Sequence, residues 1–352
     1  MRREIWAEFM PYDWVRADLP RLAAADVQLN LAIPLERLSD PALKRLLQAA
    51  HALQVPVGAW LLLPDAQGYW PNAENARLFQ QALAQFLRWL AQQGLHVAEI
   101  IVDMESPLAL SRLLKGRLWQ GLQLEYQRWL DPLQQRRFDE AVAIYTAAVA
   151  RAHDAGLQMQ VVTYPFVVHD ALAQTTVLQR FLQIPVTLVP WDRVSLMIYR
   201  SSFQDLCPLP LSPGLVTAYL QLARRAFEQP LNAALGVLGT VGKLQEGGFA
   251  DPACLAADVA SARAAGADGI QLFSLDGLHQ LAQPENGLRL YQTPARLHTP
   301  TAADRALLQT LQLAHRSLQQ LDRLISLPNR RCGSHSRIQT PASPLHAPAP
   351  IA

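Results

Sequence analysis

The stretch Glu99-Ile100-Ile101-Val102-Asp103-Met104-Glu105 closes an apolar run with two carboxylates spaced two apart. On a strand, that spacing sets Asp103 and Glu105 on one face, with their backbones roughly 6.6 Å apart. Burying an unpaired charge costs several kcal/mol, so two acids ending an apolar strand are there to be paired or used. A carboxylate beside an acid raises its pKa, which suits an acid that must hold a proton near neutral pH. The plainer alternative is a pair of exposed acids at a fraying strand end.

What could position such a pair is readable along the chain. Segments rich in β-prone residues run from Ile5 to Met10, Val27 to Ile33, Val57 to Leu63, Glu99 to Glu105, Met159 to Tyr164, Val194 to Tyr199, Ala233 to Leu238 and Gly269 to Leu275. Amphipathic helical stretches alternate with them: Ala17 to Ala25, Pro41 to Leu53, Ala73 to Gln93 behind Asn72 as N-cap, Phe138 to Ala155, Pro213 to Glu228 and Pro252 to Ala265. Eight strand–helix units over about 275 residues predict a (β/α)₈ TIM barrel. An open, doubly wound sheet is the competing fold, but the GxGxxG and GxxxxGK[ST] fingerprints that would favour it are missing.

The passage after the fourth strand is long. Leu108 to Leu130 reads as helix, Asp131-Pro132 breaks it, and a second helix follows from Phe138, so residues 108–137 form a helical insertion over the strand ends. A last amphipathic helix spans Ala302 to Leu324. From Pro328 to Ala352 the composition turns to Pro, Ser, Ala and His, which predicts a disordered tail behind a barrel domain of residues 1–327.

Composition excludes several functions. The 31 Lys and Arg against 29 Asp and Glu leave a formal charge of +2, scattered rather than gathered, so nucleic acid is not an expected partner. Cys207, Cys254 and Cys332 are far apart and odd in number, which predicts neither a disulfide framework nor a zinc site. No run reaches the roughly 18 apolar residues of a membrane span, and Met1-Arg2-Arg3-Glu4 leads straight into the first strand without a signal peptide. The chain as written reads as cytoplasmic; export would require a longer N-terminus. None of the nine histidines forms a His-x-His pair and no GxSxG elbow occurs, so metal-dependent amidohydrolase and serine hydrolase chemistry are not expected, and no metal or cofactor is called for.

In a barrel of this type the chemistry sits at the carboxyl ends of the strands. There the sequence offers Glu8, Tyr12, Asp13 and Trp14 after strand one, Trp60 and the Tyr69-Trp70 loop after strand three, and Asp103 and Glu105 after strand four. Strand five gives Tyr164 and His169, strand six Tyr199 and Arg200, strand seven Thr240, and strand eight Ser274 and Asp276. Acids, phenols and indoles are what a carbohydrate site needs: rings for pyranose faces, polar tips for hydroxyls, and a carboxylic acid for the glycosidic oxygen. Glu8, Trp60, Tyr69, Trp70, Tyr164, Arg200 and Asp276 are therefore the expected sugar contacts. Structural alternatives stand beside some of these: Trp60 as core, Tyr164 and Tyr199 as barrel-layer rings and Asn72 as a cap, whereas Tyr69-Trp70 in a Gly/Pro loop are harder to explain as core, and the parity of Glu8 with Trp6 and Met10 allows an inward carboxylate beside the site with no partner to name.

Three stretches resemble the chitinase-like glycoside hydrolases of family 18. Val102-Asp103-Met104-Glu105 resembles the close of the family's DxxDxDxE signature, Leu196-Met197-Ile198-Tyr199 its MxY motif, and Gly266 to Leu275 its last helix–strand passage. The resemblance implies Glu105 as general acid/base, Asp103 as the carboxylate that orients a substrate acetamido group and stabilises its cyclised intermediate, and Tyr199 as a donor to the acetamido oxygen. The sugar then supplies its own nucleophile. The departures are Ala98 and Ile101 at the earlier acidic positions, Gly58-Ala59-Trp60 in place of a glycine-rich third strand, Arg200 after the tyrosine, and Phe273 to Asp276 without the final tryptophan. They argue against a deep chitin cleft.

The leading expectation is a glycosidase acting on a β-linked sugar, N-acetylated sugars included. The rival is a catalytically inactive barrel that binds carbohydrate or a protein partner. Lyase or aldolase chemistry lacks its signature, since Lys243, expected to be exposed, is the only lysine near a strand end.

Overall fold

A computed structural model describes residues 1–331 apart from 207–208, 240–241, 245–246, 250 and 282–284. Eight parallel strands close into a barrel in sequence order: β1 (Arg2–Ala7), β2 (Gln28–Pro34), β3 (Val57–Leu62), β4 (Glu99–Asp103), β5 (Gln158–Thr163), β6 (Arg193–Met197), β7 (Leu231–Gly236) and β8 (Gly269–Phe273). The last joins the first through Arg3 opposite Ile270 and Glu4 opposite Gln271. The TIM barrel read from the strand–helix alternation is thus the fold.

Five strands, β1, β4, β6, β7 and β8, stop two or three residues short of their expected ends. The apolar pattern runs on past the ladder because the residues beyond it stay buried, Met104, Ile198, Leu238 and Leu275 in the helix-facing cluster and Val237 in the lumen. Glu105 accordingly lies in the loop after β4 rather than on the strand. Alternation divides the side chains into two apolar clusters. Residues such as Ile5, Leu31, Ile100, Val161 and Leu272 face the helices, whereas Trp6, Trp60, Ile101, Val162, Met197, Ala234 and Phe273 fill the lumen. Full burial of each such aliphatic side chain contributes about 1.5 to 3 kcal/mol.

Below that lumen layer the barrel floor is polar. Glu4 accepts from Asn30 Nδ2 at 2.9 Å, Asn232 Nδ2 at 3.1 Å and Gln271 Nε2 at 2.6 Å. Glu99 accepts from Arg2 and Arg193 at 2.7 Å each and from Gln28 Nε2 at 2.6 Å. Burial and the like charge of Glu99 push the Glu4 carboxyl up, against the pull of Arg2 and the amide donors. Gly58 makes room for this network: a Cβ there would sit 2.6 Å from Ile101 Cδ1 and 2.7 Å from Asn30 Oδ1.

The passage after β4 holds helices Leu108–Gly116 and Leu118–Trp129, then Pro132–Asp154. The first predicted helix is split at Arg117, and the long helix starts at Pro132 rather than Phe138. Asp131 caps it by accepting from Leu133 N at 2.9 Å, with Pro132 at the first helical position. The third-strand helix begins at Ala76, so Asn72 is not its cap; Asn72 Oδ1 accepts from Glu74 N at 3.0 Å and orders the loop ahead of it. The last helix, Ala302–Arg331, runs past Leu324 and through Pro328. Residues 332–352, in which most of the predicted tail falls, lie outside the described part, as do Cys207, Cys332, Thr240 and Glu246. Cys254 is free and exposed. No helix among the described residues is long and apolar enough to cross a membrane.

Candidate active site

Strands β4 and β5 stay zipped up to the residues that precede the chemistry. Met104 N donates to Val162 O at 2.7 Å, and Thr163 Oγ1 donates to Met104 O at 3.0 Å. Glu105 and Tyr164 follow immediately on the two strands, and the Tyr164 ring stacks on Phe166 with centroids 5.0 Å apart. Burial pushes the Tyr164 phenol well up, and the Glu105 charge adds to this, so it stays a donor at every ordinary pH. Asp103, the last residue of β4, adds its field to Tyr164 from the same side. Asp103 and Glu105 are 6% and 8% exposed.

A second acid–phenol pair stands beside the first. Glu8, just past β1, is half-buried and accepts from the Tyr69 hydroxyl at 2.6 Å. Burial and then Glu8 push the Tyr69 phenol far up, with Asp103 and Asp65 adding smaller contributions. Tyr69 therefore sits in the fields of both Glu8 and Asp103, linking β1 to β4 across the loop after β3. The inward Glu8 carboxylate allowed by strand parity is present, and Tyr69 is its partner.

Underneath lies the dry layer of Trp6, Trp60, Trp70, Ile101, Val162 and Phe273. Trp6 and Trp60 meet edge to face with centroids 4.9 Å apart, and Tyr69 meets Trp70 likewise at 5.4 Å. Trp60 is core, 1% exposed, and the Tyr69-Trp70 loop is not a free-standing platform, since its rings are 6% and 4% exposed. Tyr199, half-buried, stacks on Phe273 at 5.7 Å, an approach that Gly236 permits because a Cβ there would meet Phe273 O at 2.9 Å.

Two expected contacts are engaged elsewhere. Arg200 turns into the helical layer, where Nε donates to Asp258 Oδ1 at 2.9 Å and the other nitrogens reach Leu211 O and Cys254 O at 3.2 and 3.1 Å. It lies beyond the β6 ladder and opens the helix Arg200–Leu206, which carries it away from the lumen. Asp276 stays at the rim, but its carboxylate accepts from the backbone N–H of Glu8, Phe9 and Met10 at 2.9, 2.8 and 2.8 Å, holding the loop after β1.

The mouth is also bridged from above. Lys243, expected to be exposed, is half-buried; its Nζ binds Asp65 at 2.9 Å and lies 4.4 Å from the Tyr69 ring centroid. Lys115 donates to Leu244 O at 2.6 Å, while Leu244 and the buried Leu108 pack on the lumen cluster. The loop after β7 thereby ties the β3 loop to the insertion helices. Sequence reasoning expected the insertion at the strand ends but missed the residues that fasten it, because Leu108 and Leu244 read as ordinary helix and loop residues.

No family model matches the chain, and no curated protein does. Solved structures similar to it include a chitinase from Chromobacterium violaceum, at 11% identity over 83% of this chain and 98% of that one with a TM-score of 0.49. A glucosidase from Croceicoccus marinus matches at 13% identity over 78% and 60% of the two chains, TM-score 0.47. A D-allulose 3-epimerase from Methylomonas sp. matches at 12% identity over 78% and 84%, TM-score 0.42.

Proposed function

We propose that this barrel hydrolyses a β-linked glycoside, N-acetylated sugars among them. Glu105 protonates the glycosidic oxygen. Asp103 orients the sugar's acetamido group and stabilises the positive charge of its cyclised intermediate, with Tyr199 donating to the acetamido oxygen. The observation that carries this reading is that Asp103 and Glu105 are both buried and both raise the Tyr164 phenol, which packs against the aromatic lumen cluster. In such surroundings a fixed acid acts on the leaving oxygen far more strongly than in water.

One observation favours a second reading, a catalytically inactive barrel that binds carbohydrate or a protein partner. Both carboxylates are more than nine-tenths buried, and Leu108 and Leu244 pack on the lumen cluster. The glycosidase reading therefore requires the β7 loop or the insertion helices to move for substrate entry. A panel of chromogenic α- and β-glycosides, with and without a 2-acetamido group, separates the two. Turnover confined to β-linked members supports hydrolysis, and no turnover with measurable sugar binding supports the inactive barrel.

A further inference from the structure

Apart from the residues of the mouth, a groove of about 610 Å³ runs between the turn after β2 and the helix Ala76–Gln93. Sites for small ligands commonly enclose roughly 300 to 1,000 Å³. One wall is formed by Leu35, Glu36, Leu38 and Ser39, and the other by Gln85, Arg88, Trp89, Gln92 and Gln93. The second set is one helix face, because residues three, four, seven and eight apart lie above one another. At its centre is an indole. Trp89 is half-buried, and the fully buried Phe86 stacks on it with ring centroids 6.0 Å apart and planes 26° from parallel, which braces it in one orientation. Lys44 Nζ donates to Gln93 Oε1 at 2.9 Å, fixing that carbonyl and leaving the amide N–H groups for another acceptor. Among the described residues, the exposed side chains of Glu36, Ser39, Gln85, Arg88 and Gln92 make no hydrogen bond within the chain. What sets this stripe apart from a solvated helix face is the braced ring in a concave wall.

We propose that this groove is a second, non-catalytic binding site, and that it takes a neutral oligosaccharide. The indole offers a flat apolar surface to a pyranose face. The amides of Gln85, Gln92 and Gln93 each carry a donor and an acceptor in one plane, which matches neighbouring sugar hydroxyls in pairs. Glu36 on one wall and Arg88 on the other are of opposite sign, so the lining has no net charge with which to select a charged ligand. None of these residues belongs to the mouth, so the groove binds whether or not Glu105 is an acid catalyst.

The test follows the indole N–H signals of the eight tryptophans in the ¹⁵N-labelled full chain by NMR, with Trp89→Phe assigning the Trp89 signal. Cellohexaose, xylohexaose and the N-acetylated chitin hexasaccharide are titrated separately into the wild type and into Glu105→Gln. The Trp89 signal is expected to move saturably with at least one of the three, at the same midpoint in both proteins. Gln85→Ala combined with Gln92→Ala removes two amides from exposed positions, where the fold does not depend on them, and weakens binding about tenfold. A Trp89 signal that stays still with all three sugars overturns the proposal. Shifts confined to other indoles overturn it too, as does wild-type affinity in the double variant. A Trp89 signal that titrates in a protein that hydrolyses nothing supports the groove and rejects the glycosidase reading.

Discussion

The Tyr69 hydroxyl donates to Glu8 Oε1 at 2.6 Å, joining the loop after β3 to the end of β1. The same phenol feels Asp103 at the end of β4, and Lys243 of the β7 loop lies over its ring. One side chain therefore connects four of the segments that form the mouth. Tyr69→Phe keeps the ring but removes a hydrogen bond to a carboxylate. It is expected to lower stability by about 1 to 2 kcal/mol, read as a reduced urea midpoint at unchanged m-value. Unaltered stability would show that the bond does not form in solution.

The polar barrel floor makes Gly58 intolerant of a methyl group. In Gly58→Ala the new carbon would meet Ile101 Cδ1 at 2.6 Å and Asn30 Oδ1 at 2.7 Å, beneath the lumen layer. Repacking that also strains the Asn30–Glu4 bond predicts a loss of roughly 2 to 4 kcal/mol in chemical denaturation. Wild-type stability in this variant would mean that the floor is loosely packed.

Glu125, on the second insertion helix, is fully buried, and burial pushes its carboxyl up to about 7 despite Arg128 Nη1 donating to it at 2.9 Å. A folded-state value above the ordinary 4.5 means that the folded protein holds this proton more tightly than the unfolded chain. Its stabilising contribution is complete below pH 4.5 and is lost as pH rises to about 7. Glu125→Gln, which mimics the protonated acid, is expected to flatten that decline, on the order of 2 to 3 kcal/mol, in urea titrations across the window. Parallel wild-type and variant curves would contradict it.

The C-terminal helix is anchored by His315, whose Nε2 lies 2.8 Å from Asp170 Oδ1, with Thr175 Oγ1 at 2.9 Å on the same oxygen. Both partners are buried, so His315→Ala leaves a carboxylate short of a donor, at a cost of about 2 to 4 kcal/mol. Hydrogen exchange of Leu307 to Leu318 is expected to accelerate in this variant ahead of the barrel strands. Exchange that rises equally everywhere would show that the helix does not open as a separate unit.

The strand count and the position of Asp103 followed from apolar runs interrupted by helical spacing, signals that survive burial on both faces of a parallel sheet. The inward set was legible in part: Glu99, Ile101 and Asp103 share a parity, as do Glu4 and Trp6. The polar floor, however, depends on Gln28, Asn30, Gln160, Asn232 and Gln271 meeting from four strands, and no single segment announces such a partnership. Arg200 was misjudged because its neighbour Tyr199 drew it into the mouth, whereas its buried partner, Asp258, lies 58 residues away in sequence. The Tyr69–Glu8 pair likewise spans 61 residues, so only the folded chain names it.

The central claim is that Glu105 protonates the leaving oxygen, and kcat/KM across aryl β-glycosides of graded leaving-group acidity tests it most directly. Glu105→Gln should lower kcat/KM about 10²- to 10⁴-fold for poor leaving groups, which need the proton, and far less for dinitrophenolate, which does not. An equal effect across the series, or none, would contradict the assignment.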